Sequence, residues 1–350
     1  MKKILFTGGG SAGHVIPNVA IFEELLQSGE ADVGYIGTNG IEKSIVAPYK
    51  IPYMEMACPK LIRGGGFSAL KRNLGIPFAF SRAVKAAKKH LESFQPDLIF
   101  SKGGYVSLPV VFAAHSLGIP CFAHESDFSV GLANRLAAKK CRCVFTSFPE
   151  TAEHIRNGKY SGAPMRKSLF SVSRKAARKQ FGFTEKEKVL LIFGGGSGSA
   201  AINEAVRKNI KAITEKYSVL HVCGKGNIVK SNVKNYVQTE FIADMGMAYA
   251  CADAVISRAG AGTVFELIAL KKPALLIPLS SQTRGDQKQN AEYFRRKGLC
   301  HVLSQDNLED IVREIHLLFE DERLKSKLAE CFPLCGNENI LRELRKALKG

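Results

Sequence analysis

Two side chains able to take a proton stand beside glycine turns or strand ends in the first half of the chain. His14 closes the run Gly8-Gly9-Gly10-Ser11-Ala12-Gly13-His14, which follows the strand-prone residues Ile4 to Thr7. After Pro17, the spacing of Val19, Ala20, Ile21, Phe22, Leu25 and Leu26 predicts an amphipathic helix. A strand, a tight glycine turn and a helix start let backbone N–H groups approach an anion closely, because glycine has no Cβ and tolerates φ > 0. A histidine at a helix N-terminus is held toward the neutral imidazole, the form a general base requires. The same residue could instead cap the helix or sit in the core. Glu125, beside His124 at a strand end, is the competing base, and His124 could serve only to order the loop.

The elements that must carry these groups alternate between strand and helix. Gly8, Gly10 and Gly13 satisfy the G-x-G-x-x-G spacing of dinucleotide sites, which also need an acid at the end of the second strand, roughly 20 residues on. Here that strand ends Ile36-Gly37-Thr38 and Asp32 lies at its start, so a nicotinamide cofactor is disfavoured. Further strands are predicted at Asp97 to Ser101, Pro120 to Glu125 and Cys143 to Ser147, separated by helix-length segments. Past a basic helical link, Arg166 to Gln180, the opening pattern returns as Lys188 to Phe193, then Gly194-Gly195-Gly196-Ser197-Gly198-Ser199, then a helix with Ile202, Ala205, Val206 and Ile210. Strands follow at Ser218 to Cys223, Phe241-Ile242, Ala254 to Arg258 and Ala274 to Leu279. Such alternation implies βαβ units and parallel sheets, with ligands at the carboxyl ends of the strands. The duplicated glycine turn predicts an α/β protein of two Rossmann-like domains facing across a cleft. A final helical segment, Asn337 to Lys349, could cross back to the first domain or pack at the surface.

Composition narrows the class. A length of 350 residues suits about two domains, and 45% hydrophobic with 23% charged residues is ordinary for a soluble chain. No stretch reaches the ~20 apolar residues of a transmembrane helix, and the first residues read as a buried strand rather than a signal peptide, so a cytoplasmic location is expected. The nine cysteines show no C-x-x-C pair and are expected to be reduced; Cys141 and Cys143, if in a strand, share a face. A net charge of +18 favours anionic partners without choosing among them. Residues 60 to 90 hold Lys60, Arg63, Lys71, Arg72, Arg82, Lys85, Lys88 and Lys89 with no acid, around the apolar island Leu74-Gly75-Ile76-Pro77-Phe78-Ala79-Phe80. That pattern suits an anionic membrane interface, and suits equally a core helix with a solvated basic face.

Several ordered motifs then point to one family. Gly8 to His14, Ser101-Lys102-Gly103-Gly104-Tyr105-Val106-Ser107, His124-Glu125-Ser126-Asp127 with Gly131-Leu132-Ala133-Asn134, Gly162-Ala163-Pro164-Met165-Arg166, Arg258 to Glu266 and Arg284 to Asn290 occur in sequence. Over nearly the whole chain this resembles the MurG family, two-domain transferases of the GT-B architecture that move N-acetylglucosamine from its UDP ester to lipid I, the undecaprenyl-diphosphate muramoyl-pentapeptide. The His-Glu-Ser-Asp and Gly-Asp-Gln variants resemble the Gram-positive branch.

The resemblance implies roles residue by residue. Residues 1–163 would bind acceptor and membrane, 164–335 the UDP-sugar donor, and 336–350 would form the terminal helix. Glu266 would accept from the ribose hydroxyls, Arg258 would bind the donor and stabilise the charge of the leaving group together with helix N-termini, and Thr263 with the N–H groups from Gly260 would face the diphosphate. Gln287 would read the N-acetylglucosamine, with Asp286 and Asn290 beside it, and Ile242 would meet the uracil through its backbone. Arg166 would supply positive charge to the donor, unless it is a solvated linker residue. Ser11, Ala12 and Gly13 would bind the donor, facing its phosphate or sugar, while Gly103, Gly104, Tyr105, Asp127 and Asn134 would contact the acceptor. Gly196 and Ser197 of the third glycine loop would also bind the donor, although the serine the family has there is either displaced to Ser197 or replaced by Gly196, and Ala163 stands where many members carry Asn. The expected reaction is inverting, with His14 or Glu125 deprotonating the acceptor's C4 hydroxyl. No cofactor is expected, and no metal, since no Asp-x-Asp occurs. Partners would be UDP-N-acetylglucosamine, the lipid acceptor and the anionic inner leaflet at the cytoplasmic membrane face, not nucleic acid. A glycolipid synthase using diacylglycerol and a non-catalytic sugar-nucleotide-binding protein are the alternatives.

Overall fold

The computed structural model describes residues 1–61, 73–196, 198–279, 285–331 and 334–349. The chain divides into two units, one of Met1–Arg166 with Cys335–Gly350, the other of Lys167–Leu334.

The first unit is built on a seven-stranded sheet: β1 (Lys2–Thr7), β2 (Ala31–Gly37), β3 (Tyr53–Glu55), β4 (Leu98–Ser101), β5 (Cys121–Glu125), β6 (Cys143–Thr146) and β7 (Gly158–Tyr160). They lie in the order β3-β2-β1-β4-β5-β6-β7, with every pair parallel. Ile4, Leu5 and Phe6 are fully buried, as a strand covered on both faces requires. One face packs Val19, Ile21, Phe22 and Leu25 of the helix Ile16–Ser28; the other packs Ala83, Ala87 and Leu91 of Ile76–Phe94. Strand order reverses between β1 and β4, which puts the Gly8 and Gly103 turns at the switch point where such sheets bind ligands.

The helix Asn337–Lys349 completes this unit. Its Ile340, Leu341 and Leu344 join the core around Phe22, each contributing roughly 2 kcal/mol through burial. Asn337 fixes its start: Oδ1 accepts from the Met165 amide at 2.8 Å, and Nδ2 donates to Met165 O at 2.7 Å and to Glu24 Oε1 at 2.6 Å.

A six-stranded parallel sheet forms the second unit: β8 (Val189–Phe193), β9 (Ser218–Val222), β10 (Tyr236–Thr239), β11 (Ala254–Ser257), β12 (Ala274–Leu276) and β13 (His301–Val302), ordered β10-β9-β8-β11-β12-β13. The reversal falls between β8 and β11, so the Gly194 and Gly260 turns occupy the equivalent position.

Some local expectations need correction. Phe241 and Ile242 lie in the loop after β10, because Tyr236–Thr239 pair with β9 and Phe241 is 67% exposed. The link after Arg166 is a short 3-10 turn, Lys167–Phe170, followed by a helix only from Arg174 to Phe181, capped by the Ser173 hydroxyl. Cys141 precedes β6 and packs in a different cluster from Cys143. All nine cysteines are free thiols.

Candidate functional site

The ends of β1, β4 and β5 bring the first unit's candidate residues together. Ser11 and His14 sit in the turn after β1, with Ala12–His14 forming one turn of 3-10 helix. The Ser11 hydroxyl and His14 Nδ1 are 3.0 Å apart. Gly103 and Gly104 both take φ above +80°, and each has a close neighbour that a side chain would strike. A Cβ on Gly104 would lie 2.8 Å from the Gly9 carbonyl oxygen and 3.2 Å from His14 Nδ1; one on Gly103 would meet the Asn134 amide at 2.7 Å. Two glycines in the left-handed region therefore let the second turn press against the first. Tyr105 lies with its ring against Gly10, and Lys60 stands 5.8 Å over that ring.

Glu125 organises the loop after β5. One carboxylate oxygen accepts from the Asp127 amide at 3.1 Å; the other accepts from the Gly131 amide at 2.8 Å and from Asn134 Nδ2 at 3.0 Å. Asn134 also donates to His124 O at 3.1 Å. These bonds tie Glu125, Asp127, Gly131 and Asn134 into one cluster, with Gly103 close against the Asn134 amide. His124 is fully buried, with Nε2 3.2 Å from Gly162 O; burial and then the charge of Lys102 hold its pKa well below the ordinary histidine value. Lys102, at the end of β4, is itself 2% exposed. Burial lowers its pKa, opposed by the charges of Glu125 and Asp127. In sequence this lysine is inconspicuous, because it stands inside a glycine motif where a solvated cation would look the same.

The second unit assembles its candidates around Arg258 and the turn into the helix Ala261–Ala269. Arg258 is 8% exposed: Nη1 donates to Ile277 O at 3.1 Å and Pro278 O at 3.3 Å, and Nη2 donates to Ser199 Oγ at 2.7 Å. Ser199 in turn caps the helix Ala200–Thr214 through the Ile202 amide. One arginine thus joins the ends of β11 and β12 to the third glycine loop, and burial lowers its pKa. A Cβ at Gly260, Gly262 or Gly196 would meet nothing within 4 Å, so the space over these turns is open. Thr263 lies half-buried in the first turn of that helix, and Glu266 Oε2 accepts from the Tyr249 hydroxyl at 2.9 Å.

In the helix Asp286–Arg296, Gln287 Oε1 accepts from the Leu279 amide at 3.1 Å, whereas Asn290 is fully buried with Nδ2 3.4 Å from Ala259 O. Asp286 is half-buried at the first helical position. Ile242 buries its side chain in the loop after β10. Arg166 is the last residue of the first unit's main segment, half-buried, with its charge acting on Tyr49. Gly13 is exposed and Ala12 half-buried in the first turn. Ser197 lies outside the described residues, as do Arg63, Lys71 and Arg72 of the basic segment.

Two residues carry no local signal of their place here: Tyr249, which reaches Glu266, and Glu42, whose carboxylate lies against the first glycine turn. Ser199 does carry one, as the last polar residue of the loop before a helix, a capping signal that could have found it.

Comparison with known proteins follows the same division. The chain matches the glycosyltransferase family 28 N-terminal domain over residues 4–146 and the family 28 C-terminal domain over residues 189–335. It is 42% identical, over the full length of both chains, to a protein of Clostridium botulinum (strain Langeland) named UDP-N-acetylglucosamine--N-acetylmuramyl-(pentapeptide) pyrophosphoryl-undecaprenol N-acetylglucosamine transferase. A Clostridium perfringens (strain SM101) protein of the same name is 44% identical over 87% of this chain and 86% of its own. Among solved structures, Acinetobacter baumannii MurG superposes with a TM-score of 0.76 at 25% identity, covering 99% of this chain and all of that one. Two parallel α/β sheets, both family 28 domains and this degree of identity from end to end show that the chain belongs to the MurG family of glycosyltransferases.

Proposed function

We propose that this chain transfers N-acetylglucosamine from UDP-N-acetylglucosamine to the C4 hydroxyl of the muramoyl sugar of lipid I, with inversion, giving lipid II. The observation that carries the reading is the contact of His14 with Ser11 and the Gly104 turn at the strand ends of the first unit. With Nδ1 protonated and donating to Ser11 Oγ, Nε2 is the basic nitrogen that takes the proton of the attacking hydroxyl. Glu125 has both carboxylate oxygens engaged by N–H donors of its own loop, which favours a loop-ordering role there. Gly103, Gly104, Tyr105, Asp127 and Asn134 form the acceptor side of this half-site.

The second unit holds the donor. Open space over Gly260, Gly262 and Gly196 admits the diphosphate to backbone N–H groups at a helix N-terminus, which stabilise the departing UDP. Glu266 binds the ribose hydroxyls, oriented by Tyr249, and Gln287 binds the sugar. Arg258 serves the donor by fixing three loops through its carbonyl and Ser199 partners.

Membrane attachment at the cytoplasmic face is part of the same proposal. No helix among the described residues is long and apolar enough to cross a membrane. Leu74 and Phe78 are 69% and 77% exposed, beside the exposed cations Arg82, Lys85 and Lys89. Apolar groups and cations exposed on one helix and just before it suit an anionic leaflet, where the lipid acceptor resides.

The test is transfer of labelled sugar from UDP-N-acetylglucosamine to lipid I and to diacylglycerol, by wild-type protein and His14→Ala. Product with lipid I alone, and a loss in kcat of roughly 10²–10⁴-fold in the variant, are expected. Product with diacylglycerol only, or none with either, overturns the substrate. A folded variant with near-normal turnover moves the base elsewhere.

A further inference from the structure

One backbone amide of the first glycine turn, that of Gly10, already donates to an anion of the chain itself. Glu42, in the first turn of the helix Ile41–Val46, is fully buried. Its Oε2 accepts from the Gly10 amide at 3.2 Å; its Oε1 accepts from the Thr38 amide at 2.9 Å and from the Thr38 hydroxyl. Room for the carboxylate is made by three glycines from separate segments. A Cβ on Gly9 would lie 2.6 Å from Cδ, one on Gly37 2.9 Å from Cγ, and one on Gly40 2.9 Å from Oε2. Burial alone would raise the Glu42 pKa, but hydrogen bonds from Thr38, its own amide and Gly10 outweigh it and leave the pKa lowered.

The cluster extends to the second glycine turn. The Thr38 carbonyl accepts from the Tyr53 hydroxyl at 2.6 Å. Tyr105 in turn packs its ring on Gly10, where a Cβ would come within 2.6 Å. Gly10 is therefore gripped from one side by a carboxylate and from the other by a ring, immediately before Ser11 and His14.

We infer that Glu42 is a positioning residue: its carboxylate ties the Gly10 amide of the first glycine turn to Thr38 and fixes the His14 loop relative to Tyr105. This rests on the role proposed above for His14. It also accounts for the glycine at position 9 and for the partner of the Gly10 amide, whereas Gly8 makes room for the His14 carbonyl instead. A glutamine in the same place has one accepting oxygen, so it can satisfy Gly10 or Thr38 and must turn an N–H₂ donor toward the other.

The experiment compares wild type, Glu42→Gln and Glu42→Ala in two readouts. Melting temperature is measured in sodium formate against sodium chloride at equal ionic strength, which needs no activity. Formate, a carboxylate small enough for the vacated space, is expected to raise the melting temperature of Glu42→Ala and not that of wild type. Turnover with lipid I is expected to fall roughly 10–100-fold in both variants, as for lost outer partners of functional groups. KM for UDP-N-acetylglucosamine should change by less than about threefold, and formate should restore part of the Glu42→Ala turnover. Turnover of Glu42→Gln within twofold of wild type overturns the inference. So does a Glu42→Ala protein that responds to formate no more than to chloride. If Glu42→Ala does not fold, the kcat of Glu42→Gln decides. Wild-type protein without transferase activity overturns the proposed function instead, and the formate melting comparison still decides whether the vacated space takes a carboxylate.

Discussion

Replacing Arg258 by alanine separates two roles for one guanidinium. Three hydrogen bonds are lost, to Ile277 O, Pro278 O and Ser199 Oγ. Each nets about 1.5 kcal/mol, the low end for a charged donor, and the two carbonyls are left in a buried setting. Removing a cation whose ionisation burial already opposes returns part of this, so the expected net loss is about 3 kcal/mol. For a domain of this size, about 2–4 °C per kcal/mol places the second unit's transition roughly 6–12 °C lower. Arg258→Lys keeps the charge but not the fork, and should lose about 1–2 kcal/mol. Calorimetric melting, with titration of UDP into each variant, measures both effects. UDP affinity should weaken along with stability, because the third glycine loop and the ends of β11 and β12 loosen together. A variant that melts with wild type while kcat collapses would refute the scaffold role and put the guanidinium on the leaving group.

Three further outcomes are expected. Asn337→Ala removes the bonds to Met165 and Glu24 and should cost the first unit about 2–3 kcal/mol, seen as an earlier urea midpoint; an unchanged midpoint would mean that the C-terminal helix is held by its apolar face alone. His221 is buried between Asn203 Oδ1 at 2.9 Å and the Tyr236 hydroxyl at 2.8 Å, and burial, then the charge of Arg207, depress its pKa to about 4. A depressed histidine binds fewer protons folded than unfolded, so its contribution is intact above the ordinary value of 6.5 and is lost as pH falls toward 4, by up to about 3 kcal/mol. His221→Gln should flatten the decline of melting temperature over that window; an equally steep decline would assign it to other groups. Phe78→Glu should weaken flotation with phosphatidylglycerol vesicles by about tenfold or more, and equal partitioning of variant and wild type would remove this face from the membrane contact.

Features that depend only on neighbours along the chain are legible in the sequence by itself. Apolar runs ending in glycine locate β1, β4 and β8, and the second copy of the strand–glycine–helix pattern at Gly194 announces the second unit. His14 stands out because a titratable ring at a helix start has a chemical meaning wherever the chain goes. The tertiary structure decides what depends on distant partners. The apolar stripe of Ile340, Leu341 and Leu344 fits many surfaces, and only Phe22 and Asn337's bonds to Met165 say which one it covers. Arg258 resembles a ligand contact in sequence because its three acceptors come from segments as far as 20 and 59 residues away. The first glycine turn is the sharpest case. Its glycines let a backbone N–H meet an anion, since that is a property of the local backbone. The anion that the Gly10 amide meets, Glu42, arrives 32 residues after it through the packing of β2 and its following helix on β1, which no local pattern encodes.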